Sequence, residues 1–304
     1  MRLRFPLRLL TALLCLAIFG AVFYLYSSYT PHRDDLTVPA AERPADAEPA
    51  PLSQDPAPAE LPSADPMASE PEATAEPTPE PTLDPNSPAG RAAALGLPAP
   101  PDIDINSWEF VLVNADHSIG QFEPAELGYL NQTADATDIQ TSYNGNRCPV
   151  DVRIAQPLLD MALACREAGL PVYLSSGYRS YSVQAQNFKR VCDNNGITDG
   201  RNYEGYYITM PAGCSEHQTG LGVDITDKYH EIKNDSLADL PTVKWLAEHC
   251  AEYGFVLRFP VDKREITKVM GESWHFRYVG QEAAAYMTEN NLCLEEFVAL
   301  YGVE

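Results

Sequence analysis

Residues 215–224 read Ser-Glu-His-Gln-Thr-Gly-Leu-Gly-Val-Asp, and residues 271–275 read Gly-Glu-Ser-Trp-His. The first segment places His217 and Asp224 seven residues apart, on either side of two glycines. The second ends in His275 at the edge of a predicted strand. Two imidazoles and a carboxylate are three ligands suited to Zn²⁺, and they leave one tetrahedral position open for water. The two segments therefore predict a metal site.

Glu272, three residues before His275, is a fourth candidate group. Bound Zn²⁺ lowers the pKa of water toward about 7 and polarises a substrate carbonyl. A carboxylate beside it can take a proton from that water and pass it to a leaving amine. Three metal ligands and a carboxylate base are the groups that a zinc hydrolase needs, here without the His-Glu-x-x-His arrangement on one helix.

Residue types alone leave other interpretations open. Asp224 alone also suits a helix cap or turn, and Glu272 a solvated loop charge. A single His is more often a surface or hydrogen-bonded core residue than a ligand. We assign that role to His32, His117, His230 and His249.

Hydrophobic periodicity and capping residues around the two motifs predict interleaved helices and strands. The predicted helices span Val152–Ala168, Tyr181–Asn194, Pro241–Tyr253, Gln281–Asn290 and Leu294–Tyr301. The predicted strands span Ser107–Val113, Val172–Ser175, Phe255–Phe259 and Trp274–Val279. In the second helix we expect Val183, Phe188 and Val191 to face the core. Irregular gaps argue against repeated crossover units, so we expect a single α+β domain with a small antiparallel sheet flanked by helices.

Composition divides the 304 residues and their formal charge of −22 into three parts. Residues 31–101 hold 18 of the 26 prolines and 13 acidic groups against 3 Arg, which predicts a disordered linker. Residues 102–304 carry 30 acidic and 15 basic groups, and their 203 residues suit one domain with one core. A net negative domain excludes nucleic acid as a partner, because polyanion binding needs a basic surface.

The first 30 residues predict an uncleaved membrane anchor. Arg2, Arg4 and Arg8 precede an 18-residue run, 9–26, that is apolar except for Thr11. That length just spans a bilayer as a helix. A cleavable signal peptide has a shorter apolar run followed by small residues at the cleavage site, whereas this run ends in aromatic residues. We therefore expect a single-pass membrane protein, with its domain tethered outside the cytoplasm.

Six cysteines lie beyond the predicted anchor: Cys148, Cys165, Cys192, Cys214, Cys250 and Cys293. An even number in an exported domain favours disulfides. Cys192 with Cys214 would clamp the loop before residue 215, and Cys250 with Cys293 would join two C-terminal helices. The alternative is six buried free thiols, and the sequence does not choose the pairing.

Both motifs closely resemble the signatures of the VanY-type D-alanyl-D-alanine carboxypeptidases, a zinc peptidase family that also contains the VanX-type dipeptidases. The form Ser-x-His-x-x-Gly-x-Ala-x-Asp is matched by Ser215, His217, Gly220, Gly222 and Asp224, with Gly222 replacing the usual Ala. The form Glu-x-Trp-His is matched by Glu272, Trp274 and His275, with Ser273 where many members have Pro. Residues 176–181, followed by Gln184, resemble the family's substrate-facing segment, and residues 150–153 the start of its first helix. The resemblance spans about residues 105–301.

The resemblance implies His217, Asp224 and His275 as ligands of one Zn²⁺ and Glu272 as the general base. It also implies that Arg179 binds substrate near the scissile bond, although a surface ion pair would be the default interpretation of that residue. Weaker substrate-contact candidates are Tyr178, Gln184, Ser215 and Trp274. By default, Gln184 and Ser215 could each cap a helix or brace a ligand, and Trp274 would be a core aromatic.

The function implied is removal of the C-terminal D-alanine from peptidoglycan stem peptides. L,D-carboxypeptidase activity on tetrapeptide stems and D-Ala-D-Ala dipeptidase activity stay open. A non-catalytic zinc-containing wall-binding module is the alternative of another class, and the presence of Glu272 argues against it because a binder needs no base. A calcium-dependent adhesion domain lacks the required loop of regularly spaced carboxylates. The sequence predicts no oligomeric state.

Overall fold

The computed structural model describes residues 83–130, 139–143 and 148–303. The predicted anchor at residues 1–30 and most of the predicted linker at 31–101 lie outside these ranges. Within them, none of the helices has both the length and the apolar character needed to cross a bilayer.

Helices and strands alternate irregularly along the described chain. The helices are α1 (Pro88–Ala94), α2 (Ala155–Glu167), α3 (Tyr181–Asn195), α4 (Pro241–His249), α5 (Arg264–Thr267), α6 (Gln281–Glu289) and α7 (Leu294–Leu300). The strands are β1 (Leu127–Tyr129), β2 (Gln140–Thr141), β3 (Pro149–Asp151), β4 (Tyr173–Ser176), β5 (Gly222–Thr226), β6 (Phe255–Phe259) and β7 (Glu272–Tyr278). Short 3-10 turns include Trp108–Phe110, Val152–Ile154, Glu216–Thr219 and Cys250–Tyr253.

Five strands form one sheet in the order β2-β4-β5-β7-β6. β2 runs parallel to β4 and the other neighbours are antiparallel, while β1 and β3 form a separate antiparallel pair. The α+β class is confirmed, although the sheet is mixed at one edge. Asp224 on β5 is directly paired with His275 on β7, so the register brings the two motifs together.

The main core lies on one face of this sheet. Val223 and Ile225 on β5 and Phe276 on β7 are fully buried in it. Because side chains alternate along a strand, their neighbours Asp224 and His275 point to the opposite face. Burying each large apolar side chain stabilises the fold by about 1.5–3 kcal/mol, so this packing holds the register that positions the two polar groups.

Helix α1 contradicts the predicted end of the linker at Pro101. Ser87 caps α1 by accepting a hydrogen bond from the Gly90 backbone N–H at 3.0 Å, and Pro88 occupies the first turn, where its missing N–H costs nothing. Ala92 is fully buried in a second core with α6 and α7, and Arg91 donates to the Leu300 carbonyl at 3.1 Å. The linker prediction is therefore wrong for α1, because tertiary packing orders a short segment that composition assigned to disorder.

The first of two wrong local predictions is a strand, at a place where tertiary contacts override the local pattern. The segment predicted as a strand at Ser107–Val113 contains a 3-10 turn at Trp108–Phe110. The Trp108 ring stacks on Tyr278 at 5.8 Å between centroids, and the Arg153 guanidinium covers Trp108 at 3.8 Å.

Helix α3 also turns a different face inward than its apolar residues suggested. Its buried residues are Gln184 and Cys192, whereas Val183 is 48% exposed and Phe188 and Val191 are only partly buried. The inner face of α3 lines a cavity instead of the core, which explains its polar character.

The six described cysteines are all free and buried, so the disulfide prediction is wrong and its alternative is confirmed. Burial raises the pKa of the Cys165 thiol to about 11 and those of Cys250 and Cys293 to about 12. These thiols act as small apolar side chains in the packing.

Candidate metal centre

A 3-10 turn at Glu216–Thr219 leads into the central strand and ends at Gly220. Gly220 has φ +74°, and a Cβ there would lie 2.7 Å from the Asp151 backbone nitrogen. Only Gly fits this left-handed position beside another backbone. The turn thus fixes where His217 leaves the chain relative to β5.

The structure brings His217, Asp224 and His275 together, each less than 7% exposed. Asp224 Oδ1 lies 3.3 Å from His217 Nε2 and 3.0 Å from His275 Nδ1. One ligand atom from each of the three residues lies within 4.8 Å of the others. Among the described residues, this is the one group of three or more His, Cys, Asp or Glu side chains placed closely enough to hold a metal ion.

Hydrogen bonds outside the cluster orient its members. His217 Nδ1 lies 2.8 Å from the Gly177 carbonyl oxygen, which only accepts, so Nδ1 carries the proton and Nε2 keeps its lone pair. Burial, reinforced by the charge of Arg179, lowers the pKa of His217 to about 4, which keeps the ring neutral. Neutral imidazole is the form that binds a metal, so the donor set fits Zn²⁺.

Charge balance keeps Asp224 ionised. Burial favours its protonated form, but the charge of Lys233 outweighs that effect and lowers the pKa of Asp224 well below its usual value. Lys233 Nζ donates to Asp224 Oδ2 at 2.7 Å, which leaves Oδ1 to face the two histidines. Lys233 was not among the residues expected from the motifs, because it lies nine positions beyond Asp224 in a loop without a recognisable pattern.

Glu272 lies beside the cluster without belonging to it. Its Oε2 is 3.8 Å from His275 Nδ1, and its side chain is 22% exposed to the cavity. Burial raises the pKa of Glu272, although the charge of His275 opposes this effect. A carboxylate of raised basicity next to a metal site can accept a proton from water.

Arg179 reaches the same cavity from the segment before α3. Its backbone N–H donates to the His217 carbonyl at 3.0 Å, and its buried Nε has no hydrogen-bond partner among the described residues. An unpaired buried donor costs free energy unless a ligand satisfies it. Arg179 thus lies at the cavity of the donor cluster, and its contact with a substrate stays a prediction.

A cavity of about 770 Å³ opens over the three donors. Gln184, Ser215 and Trp274 line it, and Gln184 Oε1 is buried with no hydrogen-bond partner among the described residues. Tyr178 is not among the residues that line it, and its backbone N–H donates to the Pro149 carbonyl at 2.6 Å. The structure therefore does not support Tyr178 as a substrate contact.

Glu216 lies within the first motif, but the motif did not reveal its role. It is 3% exposed and accepts from Arg258 Nε at 2.7 Å and Arg277 Nη1 at 2.9 Å. Burial alone would raise the pKa of Glu216, but the two guanidinium groups lower it far below its usual value. These partners lie 42 and 61 residues away, so only the fold shows the pairing.

Two buried imidazoles and a carboxylate, with a further acidic side chain in the cavity above them, are the arrangement of mononuclear zinc hydrolases. A family model described as VanY, D-alanyl-D-alanine carboxypeptidase, matches residues 148–281. A D-alanyl-D-alanine carboxypeptidase of Enterococcus faecalis is 35% identical over 201 residues, covering 64% of this chain and 67% of the relative. The chain belongs to the VanY family of D-alanyl-D-alanine carboxypeptidases.

Solved structures agree with this assignment. The LdcB LD-carboxypeptidase superposes with a TM-score of 0.53 at 30% identity, covering 66% of this chain and 92% of that one. The vancomycin resistance D,D-dipeptidase VanXYg superposes with a TM-score of 0.51 at 26% identity, covering 63% of this chain and 70% of that one.

Proposed function

We propose that this protein is a zinc-dependent D,D-carboxypeptidase that removes the terminal D-alanine from peptidoglycan stem peptides. The observation that carries the proposal is the buried cluster of His217, Asp224 and His275 with Glu272 3.8 Å from His275, in a chain of the VanY family. A wall-binding module would have no use for the acidic group at that position.

His217 Nε2, Asp224 Oδ1 and His275 Nδ1 are the atoms that would hold one Zn²⁺. When bound, Zn²⁺ supplies a Lewis acid that activates water and polarises the scissile carbonyl. The protein contributes the orientation of these donors, since all three are buried and hydrogen bonds from outside the cluster hold His217 and Asp224.

Glu272 and Arg179 supply the remaining chemistry. A Glu272 carboxylate oxygen takes the proton from the attacking water and then delivers it to the nitrogen of the departing D-alanine. The unpaired Nε of Arg179 offers a charged donor for the developing oxyanion or for the terminal carboxylate of the substrate. Both side chains reach the cavity that holds the donor cluster.

A second candidate is L,D-carboxypeptidase activity on tetrapeptide stems. It is favoured by the similarity to the LdcB LD-carboxypeptidase, 92% of which the chain covers. D-Ala-D-Ala dipeptidase activity is a further possibility for the same donor set. The reacting groups are the same in all three cases, so the shape of the cavity rim decides among them.

One product assay separates these activities. The zinc-loaded full-length protein is incubated with a pentapeptide muropeptide, a tetrapeptide muropeptide and free D-Ala-D-Ala, and products are identified by mass spectrometry. We expect the pentapeptide to lose one alanine and the other two to persist. Loss of alanine from the tetrapeptide alone would establish the L,D activity instead, and no release from any substrate would contradict the proposal.

We further propose that residues 1–30 anchor the protein in the bacterial cell membrane, with the enzymatic domain outside the cytoplasm. The basic start and the apolar run at residues 9–26 support this, and so does a substrate that lies in the wall. An alkaline carbonate wash of membranes should leave the full-length protein in the pellet and release a variant that lacks residues 1–30. Release of both would contradict the anchor.

A further inference from the structure

Glu216 uses one of its two carboxylate oxygens for charge pairing. Arg258 and Arg277 both donate to Oε1, at 2.7 and 2.9 Å, and the side chains of both arginines are 0% exposed. The other oxygen, Oε2, is buried and makes no hydrogen bond to any described residue. The ion pairs therefore use Oε1 and leave Oε2 available to accept a hydrogen bond.

That free acceptor faces a metal-binding histidine. Glu216 Oε2 lies 3.4 Å from His275 Nε2, which is also buried without a hydrogen-bond partner among the described residues. The opposite edge of the same ring presents Nδ1 to Asp224 Oδ1 at 3.0 Å. His275 therefore has one nitrogen in the donor cluster and the other against Glu216.

The protonation pattern of the ring follows from its neighbours. A carboxylate paired with guanidinium groups accepts hydrogen bonds and does not donate them, so the proton of a neutral His275 belongs on Nε2. That tautomer leaves the lone pair of Nδ1 for a metal. Hydrogen bonds from metal-binding histidines to carboxylates commonly fix tautomer and ring orientation in this way.

We infer that Glu216 is a positioning residue whose Oε2 accepts the Nε2–H of His275, so that Nδ1 is presented to the metal, while Arg258 and Arg277 hold the carboxylate in place. The inference rests on the proposed metal site but not on the identity of the substrate. It assigns a role to Glu216, the second residue of the Ser-Glu-His motif, which is not one of the three clustered donors.

Glu295 offers a matched control. It belongs to the same buried network, because Arg258 donates to its two oxygens at 2.8 and 2.6 Å, yet none of its hydrogen bonds or ion pairs with described residues involves His275. Glu295→Gln and Glu216→Gln each remove one negative charge facing Arg258. Only Glu216→Gln changes the group that faces the His275 imidazole. The amide oxygen of the new glutamine takes the place of Oε1 beside the arginines, and its NH₂ group then lies opposite the Nε2–H of His275.

The test is the zinc dissociation constant of the full-length protein, measured by competition with a chromogenic chelator. Glu216→Gln should weaken zinc binding by about 10–100-fold, whereas Glu295→Gln should change it by less than about threefold. The absorption spectrum of the Co²⁺-substituted protein should change in the first variant only. Equal effects of the two variants, or no effect of either, would overturn the inference.

A measurement on the unchanged protein keeps the inference testable if Glu216→Gln does not fold. Nitrogen-15 NMR of the histidine rings in the zinc-loaded protein should show His275 protonated at Nε2 and metal-bound at Nδ1. The reverse tautomer would overturn the inference. Because neither readout needs turnover, a protein that binds zinc as described but releases no alanine would contradict the proposed function and leave this inference standing.

Discussion

At the scale of single residues, the site separates the groups that hold a metal from the group that moves a proton. His217, Asp224 and His275 share a 4.8 Å cluster, and Glu272 stands outside it at 3.8 Å from His275 Nδ1. Zinc retention and proton transfer should therefore respond to different substitutions. This separation makes the two roles independently measurable.

Glu272→Gln should lower kcat by about a thousandfold, because a positioned general base contributes roughly 10²–10⁴. Zinc content should remain at one equivalent per chain, since the donor cluster is intact. The checks are steady-state kinetics on a pentapeptide and metal analysis of the same sample. Loss of zinc from the variant would show that Glu272 is a ligand instead.

Arg179→Lys should lower kcat/KM by about 10–100-fold, the loss of a hydrogen bond to a charged group. Lysine keeps the charge but not the planar fork of donors. A pentapeptide with an amidated C-terminus identifies the partner: if Arg179 binds the terminal carboxylate, wild type and variant should cleave the amide equally poorly. Unchanged kcat/KM on the free acid would contradict a substrate contact.

At the scale of elements, the tight turn at Gly220 packs against β3 and so fixes the position of His217. Gly220→Ala adds a left-handed Ala and a Cβ 2.7 Å from the Asp151 nitrogen, so we expect a loss of about 2–4 kcal/mol in the free energy of unfolding. Gly196→Ala is the control, because Gly196 has φ +65° but open space around its Cβ, and it should cost only about 1–2 kcal/mol. Urea denaturation measures both. Equal losses would mean that the contact with Asp151 is unimportant.

The sequence predicted the positions of helices and strands better than it predicted which helix face is buried or which side chains pair. Capping residues and periodicity located α2, α3, α4 and β6, because these signals are local. The apolar residues of α3 pointed to the wrong face, because that helix lines a cavity instead of the core. The motif residues at the donor cluster were likewise identified, whereas the roles of Glu216 and Lys233 depend on partners that the chain brings together only on folding.

At the scale of the whole molecule, the folded part begins before the end of the proline-rich tract. The Tyr286 hydroxyl donates to the Pro98 carbonyl at 2.8 Å, and the Tyr301 hydroxyl donates to the Pro101 carbonyl at 2.6 Å. These contacts join α6 and the residue that follows α7 to the segment that follows α1. Composition therefore misplaces the boundary of the domain, since prolines also serve in packed, extended segments.

A chain that begins at residue 102 should be less stable than one that begins at residue 83. Removing α1 and the segment after it exposes the second core and deletes the bonds to Tyr286 and Tyr301. We expect the free energy of unfolding to fall by about 2–4 kcal/mol, from lost apolar burial and hydrogen bonds. Urea denaturation of the two chains at equal zinc content measures the difference. Identical midpoints would show that the N-terminal segment contributes nothing to the fold.

The measurement that tests the central claim most directly is the release of alanine from a pentapeptide muropeptide by the full-length protein with one equivalent of bound zinc. We predict that D-alanine and the tetrapeptide product appear in equal amounts, and that removal of zinc with a chelator stops the reaction and its return restores it. The absence of alanine release with zinc bound, or undiminished release after zinc has been removed, would contradict the account.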